Sequence, residues 1–393
     1  KQGLSQARNT GFQSASHSWI LYLDDDAKID QNLFYRVHEN IKLETYQCIG
    51  GMYLPWYMNE KPKSVLVYVG LDRVGDSLLK LPFVQGLRHA FPEAHITWLA
   101  GKNTSVYASF MAPTVDGLLD EVIDEAGIGL SIKEFLYRPL DGRPFDLIID
   151  TQRVALATLV VYRIRHKAFI SPFAKFALST YKPPKGYVFP KSMQRQMLDL
   201  LEIATGDTVL TPAAIDLPLD TALVAAATDA LPTGPVYVGL SPGAGGLPKC
   251  WPLEKFILLA KAQELAGRVP VFILGPQEKD WQREIKAAVP AAMFPLQAHN
   301  LGEQHGYLPQ LTIALSRRLA VSVCNDSGTG HMCAIGGQPL ISLFGRTAPE
   351  KFTPMSPCLT IVRAQDFGGR EMTYIPVDAV KEAVETVLTQ PIE

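Results

Sequence analysis

Cysteine is scarce in this chain: 5 residues in 393, with no CxxC pair. That argues against a disulfide framework and against a structural zinc site, and it fits reduced thiols in a cytosolic setting. Long apolar runs are missing as well. None approaches the roughly 20 residues a membrane span needs. No internal repeat or low-complexity tract is visible. Net charge is nearly absent, at -2, so there is no global attraction to nucleic acid. The first residue is Lys1 rather than methionine and no signal peptide precedes the first strand; the chain is expected to start inside a longer reading frame. What is present describes a folded globular protein, with 47% hydrophobic and 19% charged residues. A chain this long exceeds a single core, so two domains, or two plus a fragment, are expected.

Short, uniformly apolar runs alternate with helical stretches. "SVLVYVG" (64–70), "HITWLAG" (95–101) and "FDLIIDT" (145–151) read as strands buried on both faces of a parallel sheet. Between the first two, Leu78, Leu79, Phe83, Val84, Leu87 and Phe91 recur at helical spacing. A second block repeats the pattern in "PVYVGLSPG" (235–243), "WPLEKFILLAKAQELA" (251–266), "PVFILG" (270–275), "LAVSVCND" (319–326) and "PLISLFG" (339–345). Two doubly wound α/β domains are therefore expected, joined between Leu210 and Pro235, where prolines concentrate. Ligands of such sheets bind at the carboxyl ends of the strands, which places the site in a cleft between the domains.

Four features carry chemistry. In "LSPGAGGLPKCWPLEKF" (240–256) a strand runs into a glycine loop, then Lys249, then a helix with Pro252 near its start. Glycines let backbone N–H groups approach phosphate oxygens, and a helix N-terminus favours negative charge. The plain alternative is an ordinary β–α loop with a solvated lysine. In "VCNDSGTGHMCAIGGQPLISLFGRTAPEKF" (323–352), Asp326, Ser327, Gly328, Thr329, Gly330 and His331 lie between a strand and a helix. Hydroxyls and exposed amides there make a second phosphate cradle, with His331 either on a phosphate or capping the helix. Two such loops imply a diphosphate gripped from two sides. In "GLDRVGDSLLKLP" (70–82), Asp76 is either a helix N-cap or a general base facing the cleft. Lastly, between Thr151 and Arg195 there are nine lysines and arginines, among them Arg153, Arg163, Arg165 and Lys167, and no Asp or Glu. This is either a solvated surface or a site for an anionic substrate or membrane.

Together these loops resemble glycosyltransferase family 9, the lipopolysaccharide heptosyltransferases, from about Ser64 to the C-terminus. The resemblance implies a GT-B fold of two Rossmann-like domains facing a cleft. It divides the chain into an acceptor domain over 64–215 and a nucleotide-sugar donor domain over 216–393, whose final helix is expected to pack back on the first domain. It further implies an inverting transfer of heptose from ADP-heptose to a lipid A core acceptor, with no cofactor required. Asp76 matches the base. Lys249 matches the lysine that neutralises the departing diphosphate. Asp326, Ser327, Gly328, Thr329, Gly330 and His331 match the diphosphate loop, joined by Ser241, Gly243 and Gly245, while Glu278 matches a ribose contact. Arg153, Arg163, Arg165 and Lys167 fall on the acceptor side. An anionic glycolipid acceptor implies a cytoplasmic protein, peripheral on the inner face of the inner membrane.

Residues 1–63 resemble a different family, glycosyltransferase family 2, of GT-A fold. "GLSQARNTGFQSASHSWILYLDDDAKID" is similar to the segment leading to that family's metal-binding aspartates, so Asp24 and Asp26, beside Asp25, are candidate ligands for a divalent cation. The rest of a GT-A site is missing, and the segment is expected to be a remnant. Rival readings of the whole chain are a GT-B transferase for another nucleotide sugar, a nucleotide-sugar epimerase or hydrolase, and a non-catalytic glycan-binding module.

Overall fold

The computed structural model describes residues 61–389. The aspartate cluster at 24–26, with its metal expectation, lies outside the described residues.

The first sheet contains β1 (Ser64–Val69), β2 (His95–Ala100), β3 (Glu121–Ile123), β4 (Pro144–Asp150) and β5 (Arg165–Ile170), all parallel, in the order β3-β2-β1-β4-β5. The second contains β6 (Tyr237–Ser241), β7 (Val269–Phe272), β8 (Val321–Asn325), β9 (Leu340–Phe344) and β10 (Leu359–Arg363), also parallel, in the order β10-β9-β8-β6-β7. Val65 to Val69 and Val321 to Asn325 are buried along their whole length, as expected for strands covered by helices on both faces. In each sheet the strand order reverses once, between β1 and β4 and between β6 and β8. These are the switch points at whose carboxyl ends ligands bind.

Six helices position the site and join the domains: α1 (Val74–Ala90), α2 (Met193–Thr205), α3 (Thr221–Ala230), α4 (Leu253–Leu265), α5 (Gly328–Ile335) and α6 (Val377–Thr389). The apolar positions of α1, Leu78, Leu79, Phe83, Val84 and Leu87, are all buried in the first core. That core also takes in Leu198 and Leu201 of α2 and, across the domain boundary, Ile313, Ile335 and Met355. Gln310 donates to Thr114 Oγ1 at 2.7 Å, a further buried bond between the domains.

The domains join within the expected interval 210–235: Ile215 and Leu217 pack in the first core, while α3, whose Leu223 and Ala227 cluster with Tyr237, Val271 and Leu315, belongs to the second domain. Two other expectations need correction. The final helix α6 does not return to the first domain. Val380 and Val384, one turn apart, are buried against the second sheet with Phe256 and Val362, and Glu385 pairs with Arg268 at 2.6 Å. The crossing is made instead by Ile313, Ile335 and Met355, buried in the first core. Finally, the basic tract contains β5, whose amino end carries Arg165 and Lys167.

Candidate active site

The donor-side loops meet at the β6/β8 switch point. Asn325, the last residue of β8, is fully buried. Its side-chain amide donates to the Pro242 carbonyl at 2.8 Å and its oxygen accepts from Trp251 N–H at 3.0 Å. One residue thus ties the strand end to both ends of the glycine loop. Beyond it, Lys249 Nζ lies 2.9 Å from Asp326 Oδ2; the lysine is half exposed and the aspartate nearly buried. The two motifs, 77 residues apart in sequence, are joined by an ion pair.

Ser327 caps α5, its hydroxyl accepting from Gly330 N–H at 3.4 Å. The first turn exposes the amides of Gly328 and Thr329 to any anion placed there. His331 is buried. Burial pushes its imidazole down to about 4, an effect partly opposed by Asp326 and reinforced by Lys249. It is therefore neutral at physiological pH. Glu278 faces the loop from the β7 side: a Cβ on Gly243 would stand 2.6 Å from Glu278 Oε1, and one on Gly275 2.8 Å from Oε2. A side chain at either position would displace the Glu278 carboxylate from the loop. Burial pushes the Glu278 carboxyl up, against backbone N–H groups that favour its ionised form. Ser241, at the end of β6, has a buried hydroxyl with no hydrogen-bond partner among the described residues. Gly245 sits exposed on the loop crest.

The first domain approaches these loops through the N-terminus of α1. A Cβ on Gly75 would fall 2.9 Å from His331 Cδ2 and 3.5 Å from Gly328 Cα. The starts of α1 and α5 therefore abut. Arg73 is the N-cap of α1 and its side chain does no capping; Asp76 is the third helical residue, not the cap. Among the described residues the Asp76 carboxylate makes no hydrogen bond or ion pair, and it lines a cleft of about 680 Å³. The capping alternative for Asp76 does not hold. Its neighbour Asp72 is the structural carboxylate: buried, bound by Lys80, and accepting from Trp98 Nε1 at 2.7 Å and Ser105 Oγ at 3.1 Å.

The cleft opens at the carboxyl ends of β1 and β4 and is lined by Lys102, Arg153, Lys351 and Phe352 beside Asp76. Arg153 stacks on the Phe189 ring at 4.2 Å. The turn that carries it is held by Asp150, which accepts from Gln152 N–H at 2.8 Å, Thr158 Oγ1 at 2.6 Å and Ser171 Oγ at 2.8 Å. Burial pushes the Asp150 carboxyl up to about 6 despite these donors. Arg163, Arg165 and Lys167 are not brought to the cleft. Arg165 pairs in register with Pro144 at the amino end of the sheet, Lys167 forms an ion pair with Asp146 at 2.8 Å, and Arg163 donates to the Tyr137 carbonyl at 3.3 Å. None of the three lines the cleft. Among the described residues no group of three or more His, Cys, Asp or Glu is arranged to hold a metal, and no helix is long and apolar enough to cross a membrane.

Residues 135–373 match glycosyltransferase family 9 (heptosyltransferase). The chain belongs to this family. Residues 1–69 separately match glycosyl transferase family 2. Among relatives, the family 9 chain is 25% identical over 321 residues to lipopolysaccharide heptosyltransferase 3 of Escherichia coli, covering 76% of this chain and 88% of that one. It is 30% identical over 127 residues to lipooligosaccharide heptosyltransferase 2 of Haemophilus influenzae, an alignment spanning 32% of this chain and 36% of the relative. The solved family 9 glycosyltransferase of Veillonella parvula superposes with a TM-score of 0.62 at 18% identity, over 83% of this chain and 97% of that one. E. coli ADP-heptose lps heptosyltransferase II superposes with a TM-score of 0.59 at 19% identity, over 83% and 98%. The architecture is thus GT-B, and this family 9 member is a glycosyltransferase.

Asn325, Lys102, Lys351 and Phe352 were not picked out by sequence reasoning. Asn325 carried a signal, a buried amide at a strand end directly before an acidic loop. The other three are recognisable only once the domains are placed together.

His331 gives a stability test. The unfolded chain takes up a proton near the ordinary 6.5 and the folded chain only near about 4. Between these values the unfolded state binds more protons, so stability falls as pH drops through the window, by about 3 kcal/mol in full. His331→Asn removes this component. In urea titrations the difference in unfolding free energy between wild type and variant should move by about that amount, in the variant's favour, from about pH 7 to about pH 4. A difference independent of pH would show that the imidazole is not held neutral.

Proposed function

We propose that the chain transfers a heptose from ADP-heptose to a lipopolysaccharide core acceptor with inversion at the anomeric carbon. The observation that carries this reading is the meeting of α1 with the donor loops: Gly75 packs on His331, which itself senses the charges of Asp326 and Lys249, and the next residue, Asp76, lines the cleft with a free carboxylate. Lys249, Ser327 and the first-turn amides of α5 bind the donor diphosphate, and Glu278 binds the ribose. The acceptor enters the cleft beside Lys102, Arg153 and Lys351, which suit its acidic sugars. Asp76 takes the proton of the acceptor hydroxyl as that oxygen attacks the anomeric carbon. The bond to the diphosphate oxygen breaks, and its electron pair leaves with ADP. The family relationship supports the donor; one solved relative, E. coli heptosyltransferase WaaC, is described with ADP-2-deoxy-2-fluoro heptose. A lipid-borne acceptor places the reaction at the inner face of the inner membrane. The exposed Lys182, Lys185 and Lys191, on the segment that leads into Phe189 and the cleft, suit an anionic surface.

Calorimetry with ADP, UDP and GDP tests the donor. ADP is expected to bind at least about tenfold more tightly than the other two, a difference of about 1.4 kcal/mol. Equal or absent binding of all three contradicts the reading. The proposed step draws its positive charge from side chains, so transfer should persist in excess EDTA. Activity that vanishes with EDTA and returns with magnesium would bring a metal, and with it Asp24 and Asp26, back into the chemistry.

A further inference from the structure

The charges around the donor loops do not suffice for a diphosphate. Lys249 is paired with Asp326 at 2.9 Å. His331 is buried among them and uncharged. Glu278 presses on Gly243 with a carboxylate oxygen. The loops therefore offer backbone amides and a helix N-terminus but no uncompensated cation of their own. The demand rises during reaction, because breaking the anomeric bond places a further negative charge on the departing phosphate oxygen.

One unpaired cation stands beside them, and it comes from the other domain. Arg73 is exposed, and among the described residues its guanidinium has no hydrogen-bond or ion-pair partner. Its Nη1 lies 3.9 Å from the position a Cβ on Gly245 would occupy, against the crest of the glycine loop. Its backbone starts α1, the carbonyl accepting from Ser77 N–H at 2.8 Å, while the side chain caps nothing. Arg73 and Asp76 are three residues apart, neighbours on one face of the first turn. A single helix turn thus presents a cation to the leaving group and a carboxylate to the incoming hydroxyl.

We propose that Arg73 is a catalytic residue that reaches across the interdomain gap to bind the donor diphosphate and to stabilise the charge that develops on it. This rests on the donor reading given above. In the step the acceptor oxygen forms a bond to the anomeric carbon, the bond from that carbon to the diphosphate oxygen breaks, and the electron pair goes to that oxygen beside Arg73. The acceptor proton goes to Asp76. Because Arg73 belongs to the acceptor domain, the donor site is complete only when the domains are together. Separation removes the cation and protects the sugar nucleotide from hydrolysis.

The test uses the full chain with Arg73→Met and Arg73→Lys, neither of which disturbs a packed or hydrogen-bonded side chain. With ADP-heptose and acceptor, Arg73→Met should lower kcat about 100-fold, with KM for ADP-heptose changed less than about threefold. Affinity for ADP, which bears the extra charge, should fall about tenfold, and Arg73→Lys should recover part of both losses. Millimolar guanidinium should raise kcat of Arg73→Ala but not of Asp76→Asn, a rescue that a merely structural arginine would not allow. Wild-type kcat and wild-type ADP affinity in Arg73→Met overturn the proposal. Failure of the wild-type chain to bind ADP would overturn the donor reading instead, so the two failures are distinguishable.

Discussion

Replacing Asp76 by Asn should lower kcat by about 1,000-fold while leaving ADP affinity and folding nearly unchanged. The expected separation rests on two magnitudes. As a general base the carboxylate is worth about 4 kcal/mol of barrier for that factor. As an acidic residue in the first turn of α1 it is worth only about 0.5 kcal/mol to the helix through the macrodipole. It makes no hydrogen bond that the variant would break, and the start of the helix is set by the backbone of Arg73. The melting temperature should therefore fall by no more than about 2 °C. Transition-state chemistry and helix electrostatics differ here by nearly an order of magnitude, so one variant decides between them. A large loss of melting temperature would assign Asp76 to folding. Unchanged kcat would remove it from the reaction.

The second large effect belongs to Lys249. Its removal does more than delete a cation, because it uncovers Asp326, whose side chain is only 8% exposed. A carboxylate left unpaired beside the diphosphate repels it. A hydrogen bond from a charged group contributes about 1.5–3 kcal/mol, and solvent at the half-exposed Lys249 screens part of it. About 2 kcal/mol, or roughly 30-fold in ADP affinity, is the expected effect of Lys249→Ala. The double variant Lys249→Ala/Asp326→Asn removes the uncovered charge and should recover about tenfold of that loss. Calorimetry on the two singles and the double measures the coupling. If the double variant binds ADP no better than Lys249→Ala, the ion pair is not what positions charge at the diphosphate.

Much of this site can be read in the sequence because its parts are local. Each glycine loop follows a short apolar strand and precedes a helix, and that grammar alone places Lys249 and Ser327–His331 at strand carboxyl ends. Asp76 sits after a strand in the same way. Pairing across the fold cannot be read so. Nothing in the order of residues shows that Lys249 meets Asp326, that Asn325 spans both loops, or that Arg73 leans on Gly245. The basic tract misled for a more instructive reason. Its counter-ions lie just outside the interval: Asp146 pairs with Lys167, and Asp199 and Glu202 pair with Arg195 at 2.5 and 2.8 Å. A parallel strand and a helix turn bring these acids back to two of the nine charges, Lys167 and Arg195, while Lys182, Lys185 and Lys191 stay exposed. Arg153 alone of the four predicted acceptor residues reaches the cleft. The final helix misled for a related reason, since its valine stripe fits either domain and only the packed structure shows which sheet it covers.

The reaction itself is the most direct test. Purified chain incubated with ADP-heptose and a lipopolysaccharide core lacking its next heptose should yield acceptor heavier by one heptose, one ADP per transfer, and an inverted anomeric configuration by NMR. Retained configuration, or ADP released with the acceptor unmodified, would contradict in-line attack by a hydroxyl that Asp76 deprotonates.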